Sequence, residues 1–102
     1  LFREVINLQA ETGNFEQVKN LSQKALDIFP TQAWLFLMRG TAENKLKNFK
    51  QAEASLLEGL DYLIDDTETE RNFYLQLAES YKGLNETEKA SEALKKAENL
   101  EK

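Results

Sequence analysis

A short grammar recurs along this chain at a fixed distance, and a chain that repeats itself at that distance has few folds open to it. Its clearest statement is Leu46 to Leu60, LKNFKQAEASLLEGL. Asn48 stands where it can cap a helix, and Gln51, three residues on, is placed to answer it. Ala52 and Gly59 then lie seven apart on one helical face, leaving room for a neighbouring helix. The same order appears 34 residues earlier in Asn14, Gln17, Val18 and Ala25, and 38 residues later in Asn85 to Glu88, Ala90 and Ala97. Phe2, Phe36 and Tyr74 keep those spacings, as do Ile6, Gly40 and Ala78.

Within each unit the apolar periodicity predicts two helices. They fall at about 1–12 with 15–28, 32–46 with 49–64, and 68–83 with 86–101. Gly13, Lys47 and the Gly83–Asn85 stretch mark the turns inside the pairs. Pro30 closes the first unit, because its ring clashes with a continuing helix. The units are expected at 1–32, 33–66 and 71–102, with a four-residue insert at 67–70. Thr67 and Glu70 have capping-box spacing, so part of the insert is expected to extend the helix before it. The expected fold is all-α: a solenoid of three stacked antiparallel helix–turn–helix repeats, six helices in one domain.

These residues resemble the tetratricopeptide repeat across the whole chain. The third unit supplies Tyr74, Leu77, Ala78, Tyr81, Ala90, Leu94 and Ala97. The first supplies Phe2, Gly13, Phe15, Ala25 and Pro30, and the second Phe36, Gly40, Phe49, Ala52 and Leu56. Arg39 and Glu43 depart from the pattern, standing where an apolar residue and an aromatic are usual, and Ile6 and Val18 are bulkier than it prefers. The resemblance implies a scaffold that binds peptides on a concave surface lined by the first helix of each pair.

Composition narrows the chemistry. The chain has no Cys and no His, so disulfides, thiolate nucleophiles, the usual zinc ligand sets and imidazole bases are excluded. Ser22, Ser55, Ser80 and Ser91 therefore have no His base, and no glycine-rich phosphate loop is present. No catalytic residue, metal ligand or cofactor is expected. Asp61, Asp65, Asp66, Glu68 and Glu70 cluster, but without the turn glycine and spacing of a calcium loop they read as a solvated helix end and an acidic helix start. A net charge of -5 and a pI near 4.8 argue against nucleic acid as partner. No stretch approaches the roughly 20 apolar residues that span a bilayer, so no membrane contact is expected. The compartment stays open. The start at Leu1, already inside a helical pattern, suggests a piece of a longer protein.

Carried over by repeat phase, the concave face receives Asn7 from the first unit, Trp34, Leu37, Met38 and Thr41 from the second, and Asn72, Leu75, Gln76 and Glu79 from the third. Trp34, Leu37, Met38 and Leu75 are expected to form an exposed or half-exposed apolar patch with the polar residues around it. Trp34 has a second reading, in which it folds over the connection near Phe29 and Pro30 and covers core. The carboxylate clamp of the chaperone-binding subgroup is excluded. Arg3 and Asn7 suit two of its phases, but Met38, Asn72 and Gln76 stand where an amide and two basic residues are needed.

The two ends differ. The last helix has a narrow stripe of Ala90, Ala93, Leu94, Ala97 and Leu100, and can face water on its outer side. The first helix spreads Leu1, Phe2, Val5, Ile6 and Leu8 around much of its girth, so a neighbour is expected there through Leu1, Val5 and Leu8. That neighbour is an upstream repeat or a second copy in a homodimer. The sequence thus points to a non-catalytic module that binds a protein or peptide on its concave surface, with a self-associating structural scaffold as the alternative.

Overall fold

A computed structural model of the 102-residue chain describes residues 2–100, the side chain of Phe2 excepted. Six helices follow one another, α1 (Phe2–Glu11), α2 (Phe15–Ile28), α3 (Ala33–Lys45), α4 (Phe49–Tyr62), α5 (Thr67–Gly83) and α6 (Thr87–Leu100), and there is no strand among the described residues. Each helix packs on the next, and α3 also packs on α5. The partners run antiparallel: Arg39 of α3 meets Glu58 and Ser55 of α4, and Tyr74 and Tyr81 of α5 meet Lys96 and Lys89 of α6.

The three turns inside the pairs share one geometry. Gly13, Lys47 and Asn85 each take a left-handed backbone, with φ of 78°, 65° and 61°. Their N–H groups donate to Ala10, Asn44 and Lys82, and the next N–H of each turn reaches five residues back, Asn14 to Gln9, Asn48 to Glu43 and Glu86 to Tyr81. This is the Schellman closure, which satisfies the last carbonyls of the outgoing helix. The same residue then opens the incoming helix: the carbonyls of Asn14, Asn48 and Glu86 accept from Val18, Ala52 and Ala90. The side chains of Asn14 and Asn48 make no cap hydrogen bond. The expected answer from Gln17 and Gln51 fails for a physical reason. The backbone N–H that a capping box would satisfy is already donated backward into the preceding helix.

The insert lengthens the helix after it rather than the helix before it. α4 ends at Tyr62, and α5 has 17 residues against 13 in α3. The extra turn sits at the start of α5. Its cap is Asp66, not Thr67: the Asp66 carboxylate accepts from the Thr69 backbone N–H at 3.0 Å and from the Thr69 hydroxyl at 2.7 Å.

One core runs through all six helices, from Ile6 through Val18, Ala25, Phe36, Leu56 and Phe73 to Ala93. Small residues set its closest approaches. A Cβ on Gly59 would lie 2.5 Å from Phe36 Cβ and 2.7 Å from the Phe73 ring, and one on Gly40 would meet Leu56. Ala25, Ala52 and Ala78 are fully buried. The stripe expected on α6 is present, with Ala90, Ala93 and Ala97 buried and Leu94 and Leu100 half-buried.

Buried polar groups join the helices as well. Ser80 of α5 donates to Asn44 Oδ1 of α3 at 2.8 Å, and Asn44 Nδ2 donates to the Gln76 backbone and side-chain oxygens at 2.9 and 3.1 Å. Between α3 and α4, Arg39 Nε donates to Ser55 Oγ at 3.0 Å, and Ser55 donates to the buried Glu43 carboxylate at 2.5 Å. Arg39 and Glu43, the polar departures from the repeat pattern, are therefore two ends of one network.

Candidate interaction surface

The face formed by α1, α3 and α5 is backed by the second helix of each pair. Asn7, Leu75 and Glu79 are exposed there, and Trp34, Met38, Thr41, Asn72 and Gln76 are half-buried. Leu37 is not part of an exposed patch. Only 7% of its surface is accessible, and it belongs to the core. The run Trp34 to Met38 has too many apolar residues for one face, and α3 uses them because α2, α4 and α5 surround it. Leu75, one repeat further on in the same phase, is 39% exposed. Gln76 has a smaller role open to it than its position suggests, since its Oε1 already accepts from Asn44. Its amide N–H groups remain to offer.

Trp34 stands at the margin of this face. The Arg3 guanidinium lies over its ring, 4.7 Å from the centroid, a distance at which cation and ring attract. Trp34 also lines an open cavity of about 710 Å³ together with Phe29, Leu35, Tyr62, Leu63 and Ile64. Arg3, Gln32, Asp66 and Thr69 are polar groups around it. Trp34 thus packs beside the connection, with Phe29, and keeps part of its ring accessible.

Phase reasoning on the first helices did not reach this cavity, because it is built from the connections between pairs. A signal was nonetheless there. Ile28-Phe29-Pro30 and Tyr62-Leu63-Ile64 are apolar triplets at helix ends, 34 residues apart. Of these, Ile28, Phe29, Tyr62 and Ile64 are exposed, Ile64 at 81%.

Electrostatics here are mild. The Asp66 carboxyl is held below its ordinary value, first by the Thr69 hydroxyl, then by the Thr69 N–H, with a contribution from the Arg3 charge. Burial pushes the Tyr74 phenol up, with Glu70 adding to the effect, and burial followed by Glu53 does the same for Tyr81. Among the described residues no group of three or more acids is arranged to hold a metal ion. No described helix is long and apolar enough to cross a membrane.

At the free side of α1, Ile6 is fully buried while Val5 and Leu8 are exposed. Leu1, the third residue expected at that contact, lies outside the described residues, as does the side chain of Phe2. The positions equivalent to Leu8 are Ala42 and Ser80, both fully buried.

Paired antiparallel helices repeating around one core define a helical-repeat scaffold. Residues 72–102 match the family model of the tetratricopeptide repeat. The two helix pairs that precede that stretch repeat its architecture, each closed by the same left-handed turn. No curated protein matches it.

Proposed function

We propose that this chain binds a peptide or partner segment on the face of α1, α3 and α5 through apolar anchors. The tetratricopeptide repeat is in general a protein–protein interaction module and typically non-catalytic, and the surface chemistry is in keeping with that role. Leu75 carries the reading. It is a large apolar side chain exposed on a helix packed against α3, α4 and α6, bracketed by Asn72, Gln76 and Glu79. Met38 and Trp34 extend the apolar surface, and Asn7 and Thr41 add polar groups that suit a peptide backbone. A preformed face of this kind loses little entropy on binding, so affinity rests on a few anchors.

With the basic and amide clamp absent, binding should depend weakly on a free ligand C-terminus and strongly on an apolar ligand side chain. The test is to recover a binder with the full chain and titrate it against Leu75→Ala and Trp34→Ala. A loss of about tenfold or more in each supports the reading. Unchanged affinity in both, with the helical content intact, places the binding surface elsewhere.

A further inference from the structure

The first pair carries bulky apolar side chains in the open where the last pair is closed by a neighbour. Val5 and Leu8 of α1 are 41% and 57% exposed, and Leu21 of α2 is half-buried. By repeat phase their counterparts in the last pair are Leu77, Ser80 and Ala93, all buried. Leu77 and Ala93 share one depression with Leu57 and Leu60, an apolar couple three residues apart on α4. This is the joint between successive pairs: the second helix of one pair presents two leucines to the helices of the next.

Leu8 tells against another pair docking there at the molecule's own spacing. Ser80 is small enough for α5 to approach α3 until its hydroxyl reaches Asn44 at 2.8 Å, and Ala42 holds the same position in α3. A leucine in that phase would overpack so close a contact. Head-to-tail stacking of two copies fails from the other side as well. The positions of Leu57 and Leu60 in α6 are taken by Lys95 and Glu98, both exposed, so α6 has no leucine couple to offer.

The surface that does fit is the face itself. Val5 and Leu8 lie three apart on one helix, the spacing of Leu57 and Leu60, and so serve both as a ridge and as the surface a ridge packs on. The positions around them are mostly uncharged. Gln9, Gln17 and Asn20 stand where Tyr81, Lys89 and Glu92 line the depression of the last pair, and Lys24 stands at the position of Lys96. Two like faces therefore meet without a block of like charge.

We infer that two copies of this chain associate through α1, related by a two-fold axis, with Val5 and Leu8 of each seated against Val5, Leu8 and Leu21 of the other. Such an interface uses one patch twice and closes at two copies. It uses neither Leu75 of the first-helix face nor Ile64 of the connection cavity, so mutation can separate the three surfaces.

Sedimentation of the full chain over a range of concentrations should give a monomer–dimer equilibrium. Raised salt, which screens the net charge of -5, should not weaken it. Val5→Ser and Leu8→Ser should each weaken the dimer about tenfold or more. Helical content by circular dichroism should hold in both, because both side chains are exposed in the single chain. Leu8→Met keeps an apolar side chain and should retain the dimer. Leu75→Ala and Ile64→Ser should leave it unchanged. A chain that stays monomeric at millimolar concentration overturns the inference. So does a dimer that survives Val5→Ser and Leu8→Ser combined, one broken by Ile64→Ser instead, or a series of species growing beyond two copies, which is open stacking.

Discussion

Ser80 of α5 donates its hydroxyl proton to Asn44 Oδ1 of α3 across 2.8 Å, both residues being buried. The contact joins the first helices of two successive pairs directly, and Asn44 continues it onto the Gln76 backbone. It fixes how α3 and α5 lie side by side, and so the spacing between Met38 and Leu75. Ser80→Ala leaves the Asn44 oxygen buried without this donor. The expected cost is about 1–3 kcal/mol, read from the urea midpoint with unchanged slope. A neutral result would show that water reaches Asn44.

The turn between α3 and α4 holds Lys47 at φ 65°, a conformation that costs a residue with a Cβ about 1–2 kcal/mol. Gly13 fills the same position in the first pair without that strain. Lys47→Gly should therefore stabilise the chain by about 1 kcal/mol, less the added entropy of the unfolded glycine. Gly13→Ala should do the reverse. Thermal unfolding of the two variants checks both signs.

Gly59 opposes two effects. Alanine is the better helix former by about 1 kcal/mol, but its methyl would lie 2.5 Å from Phe36 Cβ, an atom fixed to the α3 backbone. Overpacking of this kind costs about 1–3 kcal/mol, so Gly59→Ala should destabilise on balance. A stabilised variant would mean that α3 and α4 part more easily than their packing suggests.

The Asp66 cap carries a pH dependence of definite sign. Its folded value lies below the ordinary 3.8, so its contribution is present above that value and lost as pH falls through the lower folded one. The protection factor of the Thr69 amide, taken against its intrinsic rate at each pH, should fall on acidification through this window. Asp66→Ala should already exchange fast at neutral pH and lose that dependence. Equal protection in the two proteins would remove Asp66 from the cap.

The repeat spacing alone made the helix order and turns legible, because each turn uses the same left-handed residue in the same register. The caps were misread, since a sequence shows an Asn beside a helix start but not that its N–H is already spent on the helix before. Leu37 was misplaced because phase assigns a face, whereas burial depends on how many helices surround it. The connection cavity escaped for a related reason: Phe29, Tyr62 and Ile64 lie at helix ends, where no periodicity marks their direction.

Arg39 and Glu43 were legible as departures from the repeat, but not as partners through Ser55. The positions equivalent to Arg39, Glu43 and Ser55 in the last pair are Leu77, Tyr81 and Ala93, so the molecule contains an apolar version of its own polar network. Breaking the network at one point and replacing it whole should have opposite outcomes. Ser55→Ala alone strips the buried Glu43 carboxylate of its hydrogen bond and should cost about 1–3 kcal/mol. Combining Arg39→Leu, Glu43→Tyr and Ser55→Ala removes the desolvated charge as well. Apolar replacement of a buried ionic network is often neutral or stabilising by about 1–4 kcal/mol. The triple variant should therefore melt at or above the parent temperature while Ser55→Ala melts below it. The surface pair of Arg39 with Glu58 is too exposed and too long, at 3.8 Å, to reverse that order. A triple variant less stable than Ser55→Ala would show that the polar network holds α3 and α4 in register, a function that apolar packing at these positions does not replace.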